Sequence, residues 1–178
     1  MDKDLKFWNK VIDFHGHVCG GLTIGYKAAL YAMKLLECDF SHDEEIVCVT
    51  ETDACCVDAI QVILGCSVGK GNLLFRLRGK QAFSFYNRKN GKSVRLVLKE
   101  LDHPNRNHKE EWQKFLFDSK VEDLFDVKEP SYQLPENARI FESIKCECCN
   151  EMTADYFIRI QNGKKVCTDC FHTYDRFF

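Results

Sequence analysis

The chain has 178 residues, 45% of them apolar, a formal net charge of −2 and eleven cysteines. That supply of apolar residues excludes global disorder, and no run is long enough to span a bilayer. With no apolar export segment at "MDKDLKFWNKV", the odd and high cysteine count predicts a soluble, cytoplasmic protein whose thiols bind metal or react, not a disulfide framework.

Leu5, Trp8, Val11 and Ile12 fall at helical spacing and predict a first helix ending at the His-Gly turn. The turn itself, "FHGHVCGG", holds His15, His17 and Cys19 directly before a second helix, whose apolar side carries Leu22, Tyr26, Ala29, Leu30, Met33 and Leu36. Cys19 thus lies near the positive end of a helix dipole, where a thiolate is favoured. "EIVCVTE" reads as a short buried strand. "DACCVDAIQVILG" follows as a third helix, with Asp53 placed to cap it and Gly65 to end it. Cys56, Val57, Ile60, Ile63 and Leu64 share its apolar arc, which leaves Cys55 on the free side of the adjacent pair, again at a helix start.

"GCSVGKGN" is not a phosphate loop: three residues separate Gly65 from Gly69, and no Ser or Thr follows Lys70. It reads as a glycine-rich connection in which Lys70 places a cation near the proposed site. From Asn72 to Leu98 the period changes to two. "NLLFRLRG", "QAFSFY" and "SVRLVLK" predict three antiparallel strands, the last turn carried by Asn90-Gly91. One face alternates Leu73, Phe75, Leu77, Val94, Leu96 and Leu98; the other carries Arg76, Arg78, Arg95 and Lys99. The expected fold class is α+β, helices packed on an antiparallel sheet. Charge follows the same division, with Cys38 to Asp58 acidic and free of Lys or Arg, and Lys70 to Lys99 free of acids.

Past His103-Pro104 a charged helix is predicted around Lys109 to Phe117, and "DVKEPSYQLPENAR" marks a boundary. This predicts a core domain over 1–128, a linker over 129–143 and a small domain over 144–178. The last contains Cys146 and Cys149 in one CxxC, Cys167 and Cys170 in another, with seventeen residues between. Two such pairs suit structural Zn2+. A hairpin turning at Asn162-Gly163 and a helix over "FHTYDRFF" would complete a treble-clef zinc finger, with Cys148 as a spare thiol.

Two thiols at two helix starts, with histidines on one, can converge on a second ion. The expected core set is His17, Cys19 and Cys55, with His15 and Cys66 in reserve. Three ligands leave a position open, as a reactive or ligand-binding centre needs. The ion would be a transition metal, with zinc the first choice, and His15 or Asp58 is the candidate for moving a proton. The alternative is that the histidines bond backbone in a tight turn while the cysteines serve as small hydrophobes.

"FHGHVCGGLTIGYKAA", then "ETDACCVDAIQVILGCSVGKGNL", then "GKQAFSFYNR" resembles the FmdE family of formylmethanofuran dehydrogenase components, over about Phe14 to Leu98. Carried over by position, His17, Cys19 and Cys55 match that family's presumed metal-binding residues, and Asp58, Gln61, Cys66 and Lys70 its other polar or sulfur positions. Gly20 stands where the family usually has proline, and Leu77-Arg78 replaces a pair that often includes an acid. The resemblance implies an α+β core, an auxiliary treble clef and a homodimer. It further implies an accessory role in anaerobic one-carbon or molybdoenzyme metabolism, beside the enzyme subunits of that chemistry and with a small-molecule ligand in view. The chain alone holds nothing for the molybdenum or tungsten pterin of the full enzyme. The competing expectation is a zinc-finger nucleic-acid binder or regulator that uses the basic strand face, the finger acting as clamp.

Overall fold

The computed structural model describes residues 3–102, 108–174 and 176, with side chains from residue 6 onward. His103 and Pro104, past which the charged helix is expected, lie outside them. The chain divides into two compact units, Met1–Ala138 and Arg139–Phe178. No described helix is long and apolar enough to cross a membrane.

In the first unit, helices α1 (Lys3–His15), α2 (Gly20–Leu36) and α3 (Cys56–Leu64) lie against a five-stranded sheet. Its strands are β1 (Ile46–Thr50), β2 (Leu73–Phe75), β3 (Ala82–Asn87), β4 (Ser93–Leu98) and β5 (Phe125–Lys128), in the order β2-β1-β3-β4-β5. The alternation of the sequence sets the faces. Ile46, Cys48, Phe83, Phe85, Val94 and Leu96 point into the main core with the helices, while Val47, Val49 and Tyr86 form a second cluster behind the sheet. Helix α4 (Lys109–Asp118) packs on α2 and is followed by the single turn α5 (Val121–Leu124).

The fold is α+β, as the patterning implies, but one pairing differs. β2 is a three-residue strand parallel to β1, with Cys48 opposite Leu73; β1–β3, β3–β4 and β4–β5 are antiparallel. The connection through α3 returns β2 alongside β1, the ordinary outcome of a crossover helix. The alternation then ends early, leaving Phe75 and Leu77 exposed at 44% and 49% instead of in the core.

The helix starts also differ in detail. Asp53 does not cap α3: it is exposed, and Cys55 occupies the N-cap position with no side-chain cap bond. Gly65 does end the helix, at φ 71°. The tightest helix contact is made by Gly25, where a Cβ would sit 2.0 Å from the Cys56 carbonyl oxygen. Only glycine lets α2 approach α3 this closely.

Behind the sheet, residues 130–138 pack with the first unit. The Tyr132 hydroxyl donates to Glu51 Oε1 at 3.1 Å, and the Tyr86 hydroxyl donates to the Tyr132 carbonyl at 2.9 Å. The four cations of the supposed basic face are engaged here or nearby. Arg95 Nε donates to the fully buried Glu51 at 2.7 Å, and the Arg76 guanidinium lies 4.0 Å from the Tyr132 ring centre. Arg78 donates to the Leu77 carbonyl and Lys99 to that of Glu122, both at 2.8 Å. Of the four, Arg95 is paired inside the fold, whereas Arg76 and Arg78 stay exposed and Lys99 half-buried.

The second unit contains two hairpins, β6 (Ser143–Lys145) with β7 (Met152–Ala154) and β8 (Ile158–Gln161) with β9 (Lys164–Cys167). The expected turn is present at Asn162 (φ 52°) and Gly163 (φ 78°). The helix expected after the second cysteine pair is not formed over residues 171–174, which carry no regular structure; Asp175, Phe177 and Phe178 lie outside the described residues. Among the described residues, the buried part of this unit is Cys146, Val166 and Cys167, with Cys170 and Phe171 packed alongside.

Candidate metal centres

The four cysteines of the second unit meet. One ligand atom each from Cys146, Cys149, Cys167 and Cys170 lies within 4.8 Å of the others, a grouping that fits a small zinc finger. The first pair occupies the turn of the β6–β7 hairpin, and the second begins at the end of β9. Backbone amides converge on the first sulfur: Cys167 N–H donates to Cys146 Sγ at 3.3 Å and Cys148 N–H at 3.5 Å. Such donors, those of Cys167 and Cys149 foremost, draw the Cys146 thiol down to about 6, whereas the neighbouring Cys167 holds Cys170 well above the usual thiol range.

The first unit assembles a second group from the end of α1, the loop behind it and the start of α2. Donor atoms of His15, His17 and Cys19 all lie within 4.8 Å of one another. Gly16 permits this by adopting φ 89°, which turns the chain sharply between the two histidines. The rings of His15 and His17 are 4.4 Å apart between centroids. Cys19 is the N-cap of α2, and its sulfur accepts from Leu22 N–H at 3.3 Å. The expected set is thereby altered: His15, held in reserve, joins the cluster together with His17 and Cys19.

His15 is fixed from the far side. Its Nδ1 is 2.7 Å from Asp58 Oδ2 on α3, and Gln61 Nε2 donates to Asp58 Oδ1 at 3.3 Å. The side chain is 11% exposed, and its Nε2 is buried without a hydrogen-bond partner among the described residues. The ring thus has a carboxylate behind Nδ1 and presents Nε2 on its other side, toward the grouped donors of His17 and Cys19. That is the arrangement found behind metal-ligating histidines.

Cys55 comes close without joining the trio. A Cβ on Gly21 would lie 3.9 Å from the sulfurs of both Cys19 and Cys55. A helix start suggests a favoured thiolate; burial instead pushes the Cys55 thiol up, and the Cys19 neighbour adds to this. Two other residues are elsewhere. Cys66 is fully buried, its sulfur directed at the Ile46 carbonyl at 3.5 Å, and burial pushes its thiol up to about 12. Lys70 Nζ donates to the Ser41 carbonyl at 2.8 Å beside the Phe40 ring and brings no charge to the cluster.

Two clefts flank the group. One, of about 390 Å³, is lined by His15, Cys55, Asp58 and Gln61 on its polar side and by Val68 and Phe75 on the other. The other, of about 510 Å³, opens beside Cys19 and is closed by Trp112 of α4, a residue that no local signal in the sequence links to the site.

The model of the family described as "FmdE, Molybdenum formylmethanofuran dehydrogenase operon" matches residues 14–144. A protein of Archaeoglobus fulgidus, named "Probable S-adenosyl-L-methionine-binding protein", is 28% identical over 194 aligned positions. The alignment takes in 91% of this chain and 51% of the relative, so the chain spans about half the length of that curated protein. Among solved structures, a tungsten formylmethanofuran dehydrogenase FmdE-like protein from Syntrophus aciditrophicus is similar with a TM-score of 0.67. The identity is 20%, with 94% of this chain and 91% of that chain covered, which is a likeness of fold.

Proposed function

The chain belongs to the FmdE family, and from that premise we propose that it is an accessory metalloprotein with two ion sites of different purpose, serving a molybdenum- or tungsten-dependent one-carbon enzyme. The finger thiols Cys146, Cys149, Cys167 and Cys170 would hold structural Zn2+. His15, His17 and Cys19 would hold a second ion, zinc or a neighbouring transition metal, in a site that Cys55 borders. The observation that carries this reading is the buried, partnerless Nε2 of His15, aimed by Asp58 and grouped with two further donors.

When bound, an ion there would supply Lewis acidity and make a bound water or thiol more acidic. The protein's own contribution is orientation. Asp58 fixes the His15 tautomer, Gln61 keeps the Asp58 carboxylate turned, and the α2 N-cap sets the position of Cys19. His15 and Asp58, the candidate proton carriers, are bonded to each other, which favours a ligand and its support over a free acid and base. Three protein donors leave a coordination position for a small molecule. We place the chain as a homodimer beside its enzyme partner, following the family resemblance.

Elemental analysis of anaerobically purified full-length protein tests the reading. Two ions per chain are expected, falling to one in His15→Ala and in Cys19→Ser. A folded wild type that carries an ion in the finger only would refute the core centre.

A further inference from the structure

The cleft beside Cys19 carries more than an opening. Its floor is Cys19, Gly20 and Gly21, and its far wall is Lys109, Glu110 and Trp112 from the first turn of α4. Lys109 and Trp112 are three residues apart and share a helix face. The indole is seated on Gly20: a Cβ at that position would lie 2.9 Å from Trp112 Cδ1 and 3.0 Å from Nε1. The wall therefore stands where it does because residue 20 has no side chain.

Each part of this lining selects for something different. Cys19 belongs to the donor cluster as well as to the cleft and is the one donor the two share. Ions held by imidazole and thiolate are borderline-soft, and sulfur is a donor they favour. Trp112 and Val18 offer apolar surface, and sulfur packs well against an aromatic ring. Lys109 and Glu110 present both signs of charge in one lining, a match for a carboxylate and an ammonium on one molecule.

We infer that this cleft takes a small sulfur-bearing α-amino acid, whose thiol fills the open position of the core ion while Trp112 covers its methylenes and Lys109 and Glu110 hold its carboxylate and ammonium. This rests on the reading of the core cluster as a metal centre. On binding, the thiol loses its proton to solvent and a sulfur–metal bond replaces a metal–water bond; no electrons move.

The test is anaerobic calorimetry on the full-length, metal-loaded protein with homocysteine, with 4-mercaptobutyrate, which lacks the ammonium, and with 3-mercaptopropylamine, which lacks the carboxylate. Metal content is measured before and after each titration. Homocysteine should bind at one per chain, and each truncated relative should bind about tenfold more weakly, the order expected for loss of a charge-assisted contact. Lys109→Ala should weaken homocysteine and 4-mercaptobutyrate and leave 3-mercaptopropylamine unchanged. Trp112→Ala and Gly20→Ala should weaken all three by about tenfold with the core ion retained. Equal affinity for the three probes, or unchanged affinity in Trp112→Ala with the ion in place, overturns the proposal. The two readings separate cleanly. An ion-loaded core that ignores homocysteine sinks this inference alone, whereas a folded core without an ion sinks the metal centre and this proposal with it.

Discussion

The thiols of the finger are held by little besides one another, whereas the donors of the first unit hang on a frame that is complete without an ion. Among the described residues of the second unit, the buried ones are two of the cysteines themselves and Val166, and Ile140, Met152, Tyr156 and Ile160 are exposed. A core of that size cannot offset the conformational entropy of ordering the chain, so an ion held there is part of the fold. In the first unit, α1, α2 and α3 bury a continuous core against the sheet, and the side chains of the donor cluster are oriented by a carboxylate, a helix cap and a glycine turn. An ion bound there, as proposed, would find its ligands in place. On the proposed reading, the two ions would serve two physical ends, folding energy in one unit and an accessible coordination position in the other.

The largest effect should come from metal removal. Chelation should abolish hydrogen-exchange protection over residues 139–178, consistent with the roughly 10–16 kcal/mol of apparent zinc affinity in such modules, and leave β1 and β3 protected. If both units lost protection together, the contrast between them would fail.

Next comes Glu51, which tests whether the first unit stands on its own contacts. Glu51→Ala strands Arg95 in a buried setting and should cost about 3–5 kcal/mol in denaturant unfolding, with the ion count unchanged. The Arg95 guanidinium, helped by Tyr132, holds the Glu51 carboxyl below its ordinary range. Its stabilisation is therefore present in full above the unfolded carboxylate range, around pH 4.5, and is lost as pH falls through the lowered folded value. Glu51→Gln should remove that part of the acid limb and leave the neutral plateau lower and flatter.

Asp58→Asn comes third. Loss of the carboxylate behind His15 should weaken core ion affinity by about 10- to 100-fold, read by competition with a chromophoric chelator, and leave the finger ion untouched. The smallest stability effect should belong to Cys19→Ser. Serine is itself a good N-cap, so α2 keeps its start, and unfolding free energy should move by under about 1 kcal/mol while the core ion is lost. Cys146→Ser should do the reverse, unravelling the finger and sparing the core ion.

The finger is legible in the sequence because its ligands are local: two CxxC pairs a hairpin apart need no long-range knowledge. Helices α1 to α4, the buried β1 and the β3–β4 hairpin are equally readable from periodicity, cap and turn residues. The parallel pairing of β2 is not. Three residues carry too short an alternation to fix a partner, and the pairing follows from the path of α3. The packing of Tyr132 is also hidden, since its Pro- and Glu-rich surroundings show no apolar period. At the core site the spacing brings the His-Gly turn forward but does not rank its histidines. What promotes His15 is Asp58, forty-three positions away, and such a pairing is decided by how α1 crosses α3. Asp58 falling one turn after Cys55 on α3 is the one local clue.

The contact at Gly25 has a consequence for how this protein can change over generations. With the Cys56 carbonyl 2.0 Å from where any side chain would begin, no single substitution at that position leads to a slightly wider spacing between the helices that carry Cys19 and Cys55. Every first step is a clash, so the gap between the two thiols is closed to gradual selection. Adaptation to another ion or another ligand has to be found elsewhere, on the first turn of α4, where Lys109 and Glu110 are exposed and replacements can accumulate one at a time.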